Sequence, residues 1–316
     1  MTSTPLVSVV TPSYNSARFI EETILSVKNQ TYPRIEHIVM DGSSTDETLD
    51  ILRKYNDSIT WISEPDEGQS DAINKGWKMA KGEILGWLNA DDIYVPSAVE
   101  TAVRFFSNNP STSMVYGNCD FIDENGKIII RQYQAGKFDL KGLLCSRINI
   151  PQPTVFFRKE VLNHVGYLDK DLHMVMDGDY WIRIGLNNLE VQYLPLQLAS
   201  FRIYHGQKGK DLGYIFGLDQ LRIHDKVFNN PTLPDSIRKL KKQAHSAAHL
   251  STCAGYIRRN QRGKALGHLK KAIALYPLHI IKPSQIGLLI TATLGVRVSH
   301  ATTNLKSRVR KQSSSS

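Results

Sequence analysis

The sequence predicts an α/β protein built on an open, mostly parallel sheet with helices on both faces. Short apolar, β-branched runs at residues 7–11, 35–40, 59–63 and 84–88 alternate with amphipathic stretches at 17–28, 44–55 and 70–80. That alternation is the rhythm of right-handed strand–helix–strand crossovers. The run 84–88 holds no charge, as a strand buried on both faces requires. Acids gather where strands end, at Asp41 and at Asp91 and Asp92, the sheet edge at which such folds bind ligands.

Taken in order, strand 7–11 is broken by Pro12, Ser13, Tyr14 and Asn15 before helix 17–28. Strand 35–40 ends in Asp41, Gly42 and Ser43, and Ser44 with Glu47 spells a capping box for the next helix. Strand 59–63 passes through an acidic Pro/Gly loop into helix 70–80. Strand 84–88 exits into Asn89, Ala90, Asp91 and Asp92, ahead of a helix at 97–107 introduced by Pro96. The rhythm then changes. Residues 114–119 and 127–131 read as a hairpin, with DENG at 123–126 suggesting a type I′-like turn. Residues 154–158, 191–194 and 198–204 read as extended, 179–186 as helical and 205–211 as a Gly- and Lys-rich loop. Beyond Pro234 the pattern is helical. Stretches 236–259 and 263–275, with small residues such as Ala247 and Ala265, resemble one tetratricopeptide-type hairpin, which cannot bury its face alone. The expected organisation is a domain over 1–230 and a basic helical extension over 231–316.

The 316 residues leave ample core for independent folding. The three cysteines, Cys119, Cys145 and Cys253, fit no ligand pattern or disulfide framework, which points to a reducing, cytoplasmic setting. The amino terminus does not read as a signal peptide, and no apolar run reaches the ~20 residues of a membrane span. The net charge of +9 is uneven: residues 231–316 hold 16 Lys and Arg against the single acid Asp235, whereas 1–230 hold 23 basic and 29 acidic residues. A basic tail fits an anionic membrane surface, an acidic partner or nucleic acid, although no aromatic stacking platform accompanies the charges. The apolar segment 286–296 followed by KSRVRKQSSSS reads either as an interfacial helix or as a packed helix with a disordered end. His245 and His249, four apart on a helix, lack the glutamate of a zinc-protease motif and read as surface residues.

Asp91 and Asp92 together admit two readings. Adjacent carboxylates repel unless a hard cation neutralises them, typically one arriving with a substrate diphosphate. A cap for the following helix serves as well.

Five stretches in sequence order, VSVVTPSYN, VMDGSSTDET, SEPDEGQSDAINKGWKMAKGE, LNADD and VMDGDYWIRI, resemble the family 2 glycosyltransferases, inverting enzymes of the GT-A fold that use nucleotide-diphosphate sugars. The resemblance spans residues 6–205. It implies that Thr11, Pro12 and Tyr14, with Asn15, wall the nucleotide base; that Asp41, with Ser43 beside it, accepts an imide N–H such as uracil offers; and that Asp71 and Asn74 face the nucleotide. Asp41 also suits an Asx turn, and Asp71 the first turn of a helix. In the metal motif Asn89, Ala90, Asp91, the first position is Asn where the family commonly has Asp. Asp91 becomes the main ligand of Mn²⁺ or Mg²⁺, and Asn89 is left to bond ribose. His205 is similar to a histidine that reaches the metal or the diphosphate, and imidazole favours Mn²⁺. Lys208 and Lys210 suit closure over the phosphates and, equally, a solvated loop. Asp177 takes the role of the base that deprotonates the acceptor, with Asp179 as a helix cap.

The implied partners are a nucleotide-sugar donor, UDP-linked by preference, and a saccharide or lipid-linked acceptor of cell-envelope polysaccharide synthesis, with the tail near the inner membrane face. Nucleic acid is not among them. A non-catalytic sugar-nucleotide scaffold and a sugar nucleotidyltransferase are the alternatives; the latter needs a Gly-rich triphosphate loop that TPSYNS does not supply.

Overall fold

The computed structural model describes residues 4–207 and 213–281. They divide into two compact units, residues 4–143 with 147–207, and residues 144–146 with 213–281.

The first unit opens with β1 (Val7–Ser13), α1 (Ile20–Lys28), β2 (Ile35–Asp41), α2 (Thr48–Lys54), β3 (Thr60–Ser63), α3 (Gln69–Met79) and β4 (Ile84–Trp87). It continues with β5 (Ile93–Tyr94), α4 (Ala98–Asn108), β6 (Thr112–Ile122), β7 (Ile128–Tyr133), α5 (Leu140–Leu144), a 3-10 turn (Gln152–Thr154), β8 (Phe156–Arg158), α6 (Val161–Val165), α7 (Met176–Leu186) and β9 (Glu190–Arg202). The sheet order is β3-β2-β1-β4-β8-β6-β9-β5, with β7 on the flank of β6. The four leading strands pair in parallel; β8 is antiparallel to both β4 and β6, and β6 and β9 are parallel again. The mostly parallel expectation therefore holds for the leading half and gives way to mixed pairing beyond β4. Because β1 lies between β2 and β4, chain direction diverges at its carboxyl end, the switch point at which open sheets leave a crevice.

Neighbouring residues of β1 explain why helices cover both faces. Val9 joins a core with Val99, Val103 and Phe106 of α4, whereas Val10 meets α3 on the other side. There α3 approaches so closely that a Cβ on Gly76 would fall 2.4 Å from Val10 Cγ1 and 3.3 Å from Met40 Cγ. Trp77 fills the same layer, edge-on to Trp87 and Phe157 and tilted against Tyr180 of α7.

Several local expectations are corrected. The capping box does not form: Ser44 turns back to Asp41, and Asp46 takes the Thr48 amide at 3.1 Å instead. Only Gly126 of the hairpin turn has a left-handed φ (79°), so the turn is not type I′, which needs two such residues. The two extended runs at 191–194 and 198–204 are one strand, β9. Pro195 is tolerated because it lies where the β6–β9 register jumps from Tyr116↔Tyr193 to Asn118↔Gln197.

The second unit comprises α8 (Gly213–Phe228), α9 (Asp235–Arg238), α10 (Lys241–Arg258), α11 (Arg262–Leu275) and a 3-10 turn (Pro277–Ile281). The helix pair is present, with Leu250, Cys253, Ala265, Leu269 and Ala272 at its core. Its other face is covered by α8, where Gly217 approaches the Thr252 backbone and Gly255 that of Tyr214. The helical unit thus begins ahead of residue 230. His245 and His249 are half-buried and bonded rather than free on the surface: His245 Nε2 lies 3.1 Å from Asp225 Oδ1, and His249 Nδ1 lies 3.0 Å from His268 Nδ1. Residues 286–296 and the basic end fall outside the described residues, among which no helix is long and apolar enough to cross a membrane.

The Gly76 approach gives a first prediction. Gly76→Ala forces α3 off the sheet or Val10 out of its rotamer, and is expected to cost about 1–3 kcal/mol of unfolding free energy in urea titration.

Candidate active site

The site is assembled at the carboxyl ends of β1, β2 and β4. From β1, Thr11 is buried and its hydroxyl lies 2.9 Å from His37 Nε2, and Pro12 is buried too. Neither side chain is open to solvent, whereas Tyr14 is 64% exposed. The chain then turns through Asn15 in a left-handed conformation (φ 48°). The amides of Asn15, Ser16 and Ala17 donate to Ser44 Oγ (2.8 Å), Thr48 Oγ1 (2.8 Å) and Asp46 Oδ2 (3.1 Å). Asn15 Oδ1 accepts the Thr45 amide at 2.8 Å, so this side chain braces the β2–α2 loop.

At the end of β2, Asp41 is 2% exposed, and its carboxylate accepts the Ser44 amide (2.9 Å), the Ser44 hydroxyl (2.5 Å) and the Ser63 hydroxyl (2.7 Å). Asp41 thus braces its own turn, bonding the amide three residues on rather than the two of an Asx turn, and the buried carboxylate retains little capacity for a base. Ser43 beside it is half-buried with φ 62°. On α3, Asp71 pairs with Lys75 and Lys170, both at 3.5 Å, and accepts the Glu67 amide at 3.2 Å. Burial pushes its carboxyl up, but the Glu67 amide and the two ammonium groups more than offset this and lower it. Asn74 does not face the nucleotide: its amide group exchanges two 2.9 Å hydrogen bonds with the backbone of Leu168.

The loop after β4 separates three polar residues by function. Asn89 Oδ1 accepts from Trp87 Nε1 and Gln69 Nε2, both at 2.8 Å, while Nδ2 donates to Gln152 Oε1 at 3.0 Å and Asp92 Oδ2 at 3.4 Å. All four of its hydrogen-bonding positions are filled, which corrects the assignment to ribose. Ala90 is buried among Ile20, Ile24 and Leu52 and presents no side chain to a ligand. Asp92, wholly buried, accepts the Arg202 amide at 3.0 Å. Burial raises its carboxyl well above the usual range, and the neighbouring Asp91 charge raises it further. Asp91 is half-buried; burial raises its carboxyl too, opposed by a hydrogen bond from the Tyr204 hydroxyl. His205 follows Tyr204 and is exposed.

This donor set fits a divalent cation held by few protein ligands. Among the described residues no group of three or more His, Cys, Asp or Glu side chains forms a closed cage. Asp91 is a half-buried carboxylate whose burial disfavours its charge, the condition a cation relieves. Its remaining ligands would be substrate oxygens and solvent, with the exposed His205 next to Tyr204, whose hydroxyl bonds Asp91.

Asp177 stands in the first turn of α7, half-buried, its Oδ1 accepting the Gly178 amide at 2.7 Å. Burial pushes its carboxyl up to about 6. Asp179 is not the cap: α7 begins at Met176, and the buried Asp179 carboxylate binds Arg183 one turn on at 2.8 Å. Consecutive residues of α3 connect the two halves of the site. Gln69 donates to Asn89, and Ser70 donates to the Leu172 carbonyl at 3.5 Å, so the Asp91 loop and the segment leading to Asp177 meet on one helix end. Sequence reasoning missed Gln69 and Gln152, which fix Asn89, and Arg202 and Tyr204, which hold the acids. Arg202 in the apolar run LASFRIY was the available signal, since a buried guanidinium needs acceptors around it.

The profile of glycosyl transferase family 2 matches residues 8–166, about half of the chain. An uncharacterized glycosyltransferase of Rickettsia typhi is 32% identical over 253 residues, 77% of this chain and 74% of its own length. Another relative, from Rickettsia bellii, is 32% identical over 213 residues but far longer, and this chain spans only 31% of it. Among solved structures, S. aureus TarS 1-349 in complex with UDP-GlcNAc aligns with a TM-score of 0.66 at 19% identity, covering 91% of this chain and 90% of that one. The mannosyltransferase PcManGT from Pyrobaculum calidifontis, in complex with GDP-Man and Mn²⁺, aligns at 0.58 and 20% identity, covering 95% and 89%. These likenesses establish the GT-A fold. With the profile match and the R. typhi relative, the chain belongs to glycosyl transferase family 2.

Proposed function

We propose that the chain is an inverting glycosyltransferase, moving a sugar from a nucleoside-diphosphate donor, UDP-linked by preference, to a hydroxyl of a saccharide or lipid-linked acceptor in cell-envelope polysaccharide synthesis. One observation carries the reading: a carboxyl held near pKa 6 at the start of α7, joined through α3 to a second acid suited to a cation. A carboxylate of that pKa is charged at neutral pH and basic enough to take a proton as a bond forms. Asp177 accepts the acceptor hydroxyl's proton while that oxygen bonds to the anomeric carbon. The bond from this carbon to the diphosphate oxygen breaks on the opposite face, its electron pair leaves with the nucleoside diphosphate, and configuration inverts. When bound, Mn²⁺ or Mg²⁺ neutralises charge on that leaving group. Asp91 would hold the cation, and Tyr204 fixes the Asp91 carboxylate. The nucleotide sugars in the two structural relatives support a donor of this class.

The nucleotidyltransferase alternative loses ground on geometry. Such chemistry needs free backbone amides after β1 to cradle a triphosphate, and those of Asn15, Ser16 and Ala17 are taken by side chains of the β2–α2 loop.

In a transfer assay with UDP-sugars, kcat/KM is expected to rise with pH through about 6 and level off above it. Asp177→Asn should retain UDP-induced thermal stabilisation while losing roughly 10²- to 10⁴-fold in transfer; full turnover by that variant refutes the assignment. The same substitution tests the burial. Folding raises this carboxyl from 3.8 to about 6, so its contribution to stability is present below about pH 4 and lost as pH rises through 6. Relative to the parent, Asp177→Asn should therefore gain roughly 1–3 kcal/mol at pH 8 and little at pH 4 in denaturant titrations. In Asp91→Ala, the part of the UDP-sugar thermal shift that depends on added Mn²⁺ should vanish.

A further inference from the structure

Building on the glycosyl-transfer reading, we infer that Asp66 is the residue that reads the nucleotide base, and that it selects a base with a single imide N–H, as uracil and thymine carry. The carboxyl ends of β1, β2 and β3 lie side by side, Ser13 in register with Asp41 and Asp41 with Ser63. The Gly42 amide donates to the Ser13 carbonyl at 2.8 Å, which places Gly42 against the peptide that leads to the exposed Tyr14. The Asp66 carboxylate packs on Gly42: a Cβ there would fall 2.5 Å from Oδ2 and 3.4 Å from Oδ1. Gly42 has no left-handed φ, so its backbone does not call for glycine; the approach of Asp66 does.

Of the two acids at this strand end, Asp66 is the one that keeps an oxygen for a ligand. Asp41 spends its carboxylate on Ser44 and Ser63. Asp66 Oδ1 accepts the Gly68 amide at 2.8 Å, an Asx turn that leads into α3, and among the described residues Oδ2 has no hydrogen-bond or ion-pair partner. Lys75 reaches Glu64, Asp71 and the Pro65 carbonyl instead. The turn alone needs Oδ1 and no more, so it leaves the other oxygen of this half-buried residue unaccounted for.

An exposed aromatic residue and an open carboxylate oxygen next to one bare glycine suit a flat heterocycle, since bases stack on aromatic faces and are told apart along their hydrogen-bonding edges. Oδ2 accepts one N–H. The imide of uracil or thymine offers one. At the matching edge cytosine and adenine offer a ring-nitrogen lone pair, which a carboxylate repels. Guanine offers two parallel donors, N1–H and the amino group, and one of the two oxygens they need is held by Gly68.

The test measures dissociation constants of UDP, dTDP, CDP and GDP for the full chain by calorimetry in the presence of Mn²⁺. UDP and dTDP should bind roughly tenfold more tightly than CDP. In Asp66→Asn the side-chain oxygen keeps the Gly68 amide, so the NH₂ group takes the place of Oδ2 and meets the imide N–H donor to donor. UDP affinity should then fall roughly tenfold, and CDP, which presents an acceptor there, should gain by a similar factor. A gain for CDP cannot come from a damaged fold. Gly42→Ala, which displaces the carboxylate without changing it, should weaken UDP binding with no gain for CDP. An unchanged preference for UDP over CDP in Asp66→Asn would overturn the assignment, as would equal loss of all four nucleotides or a parent that prefers GDP; each of these leaves the transfer reading standing. A parent that binds none of the four would instead remove the transfer reading itself, and the assignment with it.

Discussion

The arrangement around the site depends on one buried cation, the guanidinium of Arg202. It is wholly buried, stacks 4.6 Å over the Phe19 ring, and donates to the Asp91, Asp123 and Glu124 carbonyls and to Glu22 Oε2 at 2.6 Å. Its own amide bonds Asp92. A desolvated guanidinium is tolerated only when its donors are used, so four segments of chain, around residues 19–22, 91–92, 123–124 and 202, are constrained to meet. The positive charge also lowers the carboxyls of Asp91 and Asp92, although burial, the larger effect, still leaves both raised.

Within that constraint, identical side chains perform different tasks because their surroundings differ. Asp41 and Asp92 spend their oxygens on internal donors and shape loops; Asp179 is neutralised by Arg183, and Asp71 by two lysines. Asp91 and Asp177 are half-buried, and burial raises the carboxyls of both, the condition that tunes a carboxylate for chemistry. Asn89 in place of a third acid fits this division. An amide can receive two donors and give two hydrogens at once, which a carboxylate in the same spot could not do toward Asp92 and Gln152.

Much of the leading half was legible because its signals are local. The period of apolar residues placed β1 through β4 and α1 through α4 within a few residues, and strand ends pointed to Asp91. What escaped depended on contacts distant in sequence. Ser44 and Glu47 spell a cap, yet Ser44 is recruited by Asp41. The run Gly213–Phe228 was not recognised as a helix because its interior glycine lowers propensity, whereas Gly217 is needed for the close passage of Thr252. Asn74 and Ala90 lie in motifs that carry the family resemblance, and the fold turns both inward. Motif membership locates a segment, not the direction in which each of its side chains points.

The tethering of the first loop to the second has a further consequence. With three successive amides after β1 anchored on Ser44, Thr48 and Asp46, and Asn15 reaching back to Thr45, the two loops form a single stiff lip. On the proposed function, a nucleotide meeting that lip would have little backbone left to freeze, so less of its interaction energy would be consumed in ordering the protein, and selectivity among donors would arise from fit to a fixed contour.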